Sequence, residues 1–296
     1  MEKVKRKNIN IYLVVVCTCL IVYTLLMFIL LAWGILKSFQ TREDYILSNC
    51  SAYSIPQEFT LQNYLDAFNQ IHYKFRDENG LHYVYFGEML FNSLFYSIGC
   101  TVVSTLTHCV IAYLTVKYDF KFNKVINFIV YFTMMFHFLG SMPSSIRVVT
   151  ALGLIDTWPG MFIMKFTFLG QYFLIFQGIF RGLSKDYSEA AIVDGASDFT
   201  IMVKINFPMI FNSIIIVAVL NFIAFWNDYQ TPMVYLRSHP TVSYGLYYFN
   251  NINDSKFGML IYKVAGFMLM MIPTLLLFLG FKDKMIGNLT IGGLKG

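Results

Sequence analysis

Apolar residues dominate six stretches of the chain, each near the roughly 20 residues that a helix needs to cross a bilayer. They are Ile11 to Leu36, Asn92 to Val116, Val125 to Ile146, Pro159 to Phe180, Ile210 to Val234 and Gly258 to Phe281. A helix satisfies its own backbone groups in lipid, so the pattern predicts an all-α fold, a polytopic transmembrane helical bundle of six spans. Gly140 and Pro143 interrupt the third span, where a proline removes a backbone donor and kinks or ends a helix. The longest polar stretch, Lys37 to Leu90, carries Tyr45, Tyr53, Phe59, Tyr64, Phe68, Tyr73 and Phe75 and predicts a packed surface cap.

A second polar interruption, Ser188 to Pro208, lies between two apolar spans. Ser188 is a candidate N-cap, Glu189 complements a helix N-terminus, and Ala190 and Ala191 favour a helix. Gly195 permits a sharp exit. Phe199, Ile201, Met202, Val203 and Ile205 then form a second amphipathic piece, and Pro208 opens the next span at a position where its missing donor costs little. The pattern predicts two short helices along the membrane surface, which by themselves fit either an ordinary interfacial loop or a docking element.

Composition agrees with the spans. Of 296 residues, 57% are hydrophobic and 13% charged, about half the charge of a globular chain. The net charge of +5 is spread over short loops with no continuous basic patch, which argues against nucleic acid. Lys3, Lys5, Arg6 and Lys7 precede a first span too long for a signal-peptide core, so it is read as uncleaved. Lys117, Lys121, Lys124, Arg181, Lys185, Lys204, Lys282, Lys284 and Lys295 fall on the same side. By the positive-inside rule both termini and the Ser188 segment are cytoplasmic. Cys17, Cys19, Cys100 and Cys109 lie in apolar runs and Cys50 in a loop, with neither a disulfide framework nor a metal-binding spacing.

The spacing Glu189, Ala190, Ala191, three residues, Gly195, nine residues, Ile205, one residue, Phe207, Pro208 resembles the EAA motif of binding-protein-dependent ABC importer permeases; Phe207 stands where leucine is usual. Thr60 to Tyr64, Asn92 to Leu94, Phe225 to Tyr229 and the tail Gly287 to Gly296 resemble further elements of the carbohydrate-uptake branch, which includes the maltose permease component MalG. The resemblance implies the MalG/MetI-like type I importer permease fold. It divides the chain into residues 1–36, a cytoplasmic N-terminus with the first span; 37–91, an extracytoplasmic loop; 92–281, a permease core with the coupling loop at 181–209; and 282–296, a cytoplasmic tail.

The same resemblance assigns ATPase coupling to Glu189, Ala190, Ala191, Asp194, Gly195, Ile205 and Pro208. Its implied partners are a second homologous permease subunit, two copies of an ABC ATPase subunit, an extracytoplasmic sugar-binding protein and the lipid bilayer, in a bacterial cytoplasmic membrane. The sequence has no GxxxxGK(S/T) loop to cradle phosphates, so ATP and Mg are expected on the partner ATPase and no cofactor or metal on this chain. The tail resembles one that reaches between ATPase subunits.

Polar residues within the spans have two readings each. Asn221, Trp226, Asn227 and Asp228 offer hydroxyl partners and an aromatic face to a sugar pathway, or else pack and terminate the fifth span. Gln171 and Gln177 are weaker candidates of the same kind. Lys165 and Lys263 read as snorkelling lysines, and His108 and His137 as packing residues. A permease for another solute such as glycerol phosphate, or a secondary transporter, remains compatible with hydropathy. The paired or broken midplane helices of a carrier are not evident, and no catalytic dyad or HExxH points to an intramembrane enzyme.

Overall fold

A computed structural model describes residues 11–77, 80–118, 121–136, 141–251 and 259–289. In chain order the helices are α1 (Ile11–Phe39), α2 (Arg42–Leu47) and α3 (Gln62–Gln70), followed by a hairpin of β1 (His72–Asp77) and β2 (Gly80–Tyr85). Next come α4 (Phe86–Lys117), α5 (Asn123–Met135), α6 (Ser141–Ala151), α7 (Trp158–Met164) and α8 (Gln171–Arg181). The expected coupling region holds α9 (Asp186–Val193), α10 (Asp198–Ile201), a π-helical turn (Met202–Asn206) and α11 (Phe207–Met209). The chain continues through α12 (Phe211–Asn227), α13 (Gln230–Tyr235), α14 (Val242–Asn250) and α15 (Leu260–Leu289).

The fold is mostly helical as the pattern predicts, with departures that have identifiable causes. The helical class holds, with one short hairpin added to it, whose strands pair antiparallel from His72 opposite Tyr85 to Asp77 opposite Gly80. Three described helices are long and apolar enough to cross a membrane, Ile11–Phe39, Phe86–Lys117 and Leu260–Lys284. The bent pair Asp198–Met209 with Phe211–Asn227, at 76°, makes a fourth candidate. The third expected span is two helices, and its first ends at Phe136, whose backbone is extended; Gly140 and His137 lie outside the described residues, and Pro143 sits near the start of α6. The fourth expected span breaks between Met164 and Gln171, where Gly170 adopts φ +140°. The fifth ends at Asn227 rather than Val234.

By its contacts the chain forms two compact units, Met1–Ile71 with Phe249–Leu269, and His72–Tyr248 with Met270–Gly296. In the first, α1 is apolar on every side and almost uncovered from Ile11 to Leu31, as a lipid-facing helix is. Its end is anchored by Lys37, buried with 1% exposure. The Lys37 ammonium donates to Gln40 Oε1 at 2.9 Å, the Ser51 carbonyl at 3.0 Å and Ser54 Oγ at 2.6 Å. A buried ammonium is tolerable only when its donors are satisfied in this way. Asp44 fixes the same loop, accepting from Gln57 N at 2.8 Å and Gln40 Nε2 at 3.1 Å. These bonds, the Gln57 amide foremost, hold its carboxyl below the usual carboxylate range.

In the second unit α4 is the central element, packed against α12, α8 and α7. Ser93, Ser97, Thr101, Ser104, Thr105 and His108 are all buried along it, at spacings near three and four that gather them on one stripe. Small hydroxyl residues permit close helix approach in lipid and supply cross-helix hydrogen bonds. Thr105 Oγ1 accepts from Asn221 Nδ2 of α12 at 3.0 Å. Gly99 faces α7 so closely that a Cβ there would collide with the Phe162 ring. Phe173, Phe176 and Phe180 of α8 close a core with Cys109, Ala112 and Tyr113 of α4.

Candidate coupling segment and pathway residues

The candidate coupling region is built largely by local backbone bonding. The first helix, α9, begins at Asp186 rather than at Ser188: its leading amide, Asp186 N, donates to Ser184 Oγ at 3.3 Å. Ser188 is thus inside the helix, and its hydroxyl accepts instead from Asn206 Nδ2 at 3.3 Å. At the other end Gly195 N donates to the Ile192 carbonyl at 3.0 Å and Ala196 N to the Ala191 carbonyl at 2.9 Å. That pair of bonds is a Schellman ending, which requires the left-handed backbone that Gly195 supplies at φ +80°. Asp194 occupies the C-cap.

Three residues past that C-cap, Ser197 caps α10 by accepting from Thr200 N at 3.3 Å. The helix then widens into the π turn. Pro208 has no amide proton, and its ring crowds the carbonyl four residues back, at Lys204. A π register across Met202–Asn206 accommodates this. Ile205 lies within the turn, half-buried, and Pro208 is exposed in α11. A non-helical backbone at Ile210, φ −105° and ψ 11°, separates α11 from α12.

Asn206 ties the parts together and was only an unspecified position in the sequence spacing. It is buried, and its Nδ2 lies 3.3 Å from Ser188 Oγ, 3.4 Å from the Ile201 carbonyl and 3.5 Å from Tyr113 Oη on α4. A lone amide between Ile205 and Phe207 was the available signal. A second tether comes from Asp198, which receives Lys117 Nζ at 2.6 Å and the Tyr118 hydroxyl at 2.8 Å. Those two bonds, the lysine's first, lower the Asp198 pKa. With the segment held from behind, Ala191 is buried while Glu189, Ala190, Ile192, Val193 and Phe199 are exposed. Val193 is 88% exposed, and such uncovered apolar side chains mark an interaction surface when they cluster.

The four candidates in and just after the C-terminal half of α12 separate. Asn221 and Trp226 are buried in packing contacts; Trp226 Nε1 donates to the Met270 carbonyl at 3.0 Å. Asn227 is exposed, on the same face as exposed Leu220 and Ala224, and its Nδ2 donates to the Ile223 carbonyl at 2.8 Å. Asp228 is a node. Its Oδ2 accepts from the Tyr96 hydroxyl at 2.9 Å and stands 3.9 Å from Lys165 Nζ, while Oδ1 accepts from Thr231 N at 3.0 Å. Lys165 also lies over the Phe225 ring at 5.0 Å. The snorkelling reading of Lys165 is therefore corrected, because its charge has a carboxylate and an aromatic face within the protein.

The other polar candidates settle into packing. Gln177 Nε2 donates to Thr115 Oγ1 at 3.1 Å and Asn127 Oδ1 at 2.9 Å, whereas Gln171 is exposed. His108 Nδ1 is 2.6 Å from the Ser104 carbonyl and its ring meets Tyr172 edge to face. Lys263 donates to the Asn250 carbonyl at 2.7 Å. Among the described residues no group of His, Cys, Asp and Glu is arranged to hold a metal ion. Thr290 to Gly296 of the tail lie outside the described residues.

Residues 108–285 match the family described as "Binding-protein-dependent transport system inner membrane component". The chain belongs to this family. It is a membrane transport component rather than an enzyme, and the matched range contains the whole candidate coupling segment, residues 181–209. Among similar permeases, the arabinooligosaccharides transport system permease protein AraQ of Halalkalibacterium halodurans is 28% identical over 88% of this chain and 89% of its own. AraQ of Bacillus subtilis is 30% identical over 72% and 75%. The diacetylchitobiose uptake system permease protein NgcG of Streptomyces coelicolor is 24% identical over 92% and 86%. A solved structure, of a bacterial ABC transporter involved in the import of the acidic polysaccharide alginate, has the same fold, with a TM-score of 0.72 and 23% identity over 96% of this chain and 99% of that one.

Proposed function

We propose that the chain is one permease subunit of an ATP-driven, binding-protein-dependent importer of a sugar or oligosaccharide. The observation that carries this reading is the EAA spacing placed on an exposed, capped helix pair inside the family match. Sugar-oligomer permeases among the relatives support the cargo class. The chain works with a second homologous permease, two ATPase subunits and an extracytoplasmic binding protein. ATP and Mg bind the ATPase, consistent with the missing phosphate loop. The permease sits in the bacterial cytoplasmic membrane with six spans, two of them broken, and cytoplasmic termini.

Coupling runs through α9. ATPase closure pushes on Glu189, Ala190 and the neighbouring apolar side chains, while the rigid Gly195 exit and the Asn206 and Asp198 tethers pass the displacement to α4 and α12. Asn227 and the exposed face of α12 border the pathway, and Asp228 holds that face in place. Reconstituted complexes carrying Glu189→Lys should assemble and retain basal ATP hydrolysis, yet lose sugar uptake and stimulation by the loaded binding protein. Normal stimulated hydrolysis with that variant refutes the coupling role.

A further inference from the structure

A cavity of about 480 Å³ lies behind the coupling helix, between the ends of α4 and α8 and the first turns of α9. Its lining mixes two chemistries: the apolar Val116, Phe180 and Leu183, and the basic Lys117, Arg181 and Lys185 with the hydroxyls of Ser184 and Ser188. Lys117 is already held by Asp198. Arg181 and Lys185 have no ion pair among the described residues and are exposed. Glu189 is the only acidic residue in the lining, so the two unpaired cations outnumber it.

Orienting the spans requires only that basic residues lie near their ends. It does not require a cavity lined by cations, hydroxyls and apolar side chains together at the ends of two helices. An amphipathic anion matches that combination, and basic pockets between helices at the cytoplasmic surface bind anionic lipid headgroups.

We propose that this cavity holds the phosphate of an anionic membrane phospholipid, with Arg181 and Lys185 as counter-charges and Ser184 and Ser188 as hydrogen-bond donors. The lipid then touches both α9 and the spans it moves against, so membrane charge sets how firmly the coupling helix is seated.

The test uses the whole transporter complex in phosphatidylcholine vesicles doped with phosphatidylglycerol, with retained lipid counted by native mass spectrometry. At roughly fivefold per basic residue, Arg181→Gln with Lys185→Gln weakens phosphatidylglycerol retention about 10- to 30-fold. Lys121→Gln with Lys124→Gln removes the same charge from residues outside the cavity and leaves retention unchanged. Lys185→Gln alone gives a partial loss and serves where the double variant fails to assemble. Equal retention in cavity and control variants overturns the proposal. So does saturable binding of inorganic phosphate in pure phosphatidylcholine that depends on Arg181 and Lys185 without any lipid preference, because the ligand is then a soluble phosphate. Retention is read without transport, so a failed coupling assignment leaves this result standing.

Discussion

The candidate coupling segment and the C-terminal half of α12 are held together by different means. From Ser184 to Ile210 the chain is shaped mainly by bonds between near neighbours: the Asp186 amide on Ser184, the Ser197 cap, the Schellman ending at Gly195 and the π turn before Pro208. Along the C-terminal half of α12 the defining bonds join residues far apart in sequence, Tyr96 to Asp228, Thr105 to Asn221 and Trp226 to Met270. The first region keeps its shape as a unit that something else can push. The second is a junction whose geometry belongs to several helices at once.

The sharpest way to break the contrast is Gly195→Pro. Proline cannot donate to Ile192 or adopt φ +80°, and such an insult costs about 3 kcal/mol or more. Hydrogen exchange should rise across residues 186–209 with little change in the thermal unfolding of the complex, because the damage is local. An equal fall in the global midpoint shows that the segment is not autonomous.

Asp228→Ala should do the reverse. It strips partners from Tyr96, Thr231 and Lys165 together, and losing charge-assisted hydrogen bonds of this kind costs about 1.5–3 kcal/mol. The global midpoint should fall, and Tyr96→Phe should add little in the Asp228→Ala background. Full additivity of the two substitutions shows that they do not share a junction.

Ser197→Ala removes one cap and should weaken α10 by about 1 kcal/mol, visible as exchange confined to Asp198–Ile201. The smallest effect belongs to Asp198. Its folded pKa is lowered, so the stabilisation is complete above the ordinary carboxylate value of 3.8 and is lost as pH falls through the lowered folded value. Exchange near Tyr118 should rise on acidification in the wild type and be insensitive to pH over that window in Asp198→Asn. A pH response that persists in the variant assigns it to another group.

Much of the coupling segment was legible because local chemistry has local spacing. Gly195 reads as a helix exit, and its φ confirms the physical reason. Ser188 was misread because the sequence offers three serines, Ser184, Ser188 and Ser197, and only the course of the backbone selects Ser184 and Ser197 as the partners of terminal amides. The hairpin had a signal in Asn79-Gly80 between alternating aromatic runs, obscured because aromatic residues occur throughout this chain. Lys165 could not be placed: its distance from a span end fits snorkelling, and Asp228 is distant in sequence.

By itself the sequence determined that the chain enters a membrane, that its helices carry the fold and that a glycine-terminated helix pair interrupts them, since hydropathy and backbone allowance are properties of short stretches. Only the tertiary structure decided which polar residues are partners and which are exposed. Asn206, Asp228 and Lys165 acquire their roles from helices brought together across the fold, and a cavity lined by Arg181, Lys185 and Ser188 exists only where separate chain segments converge.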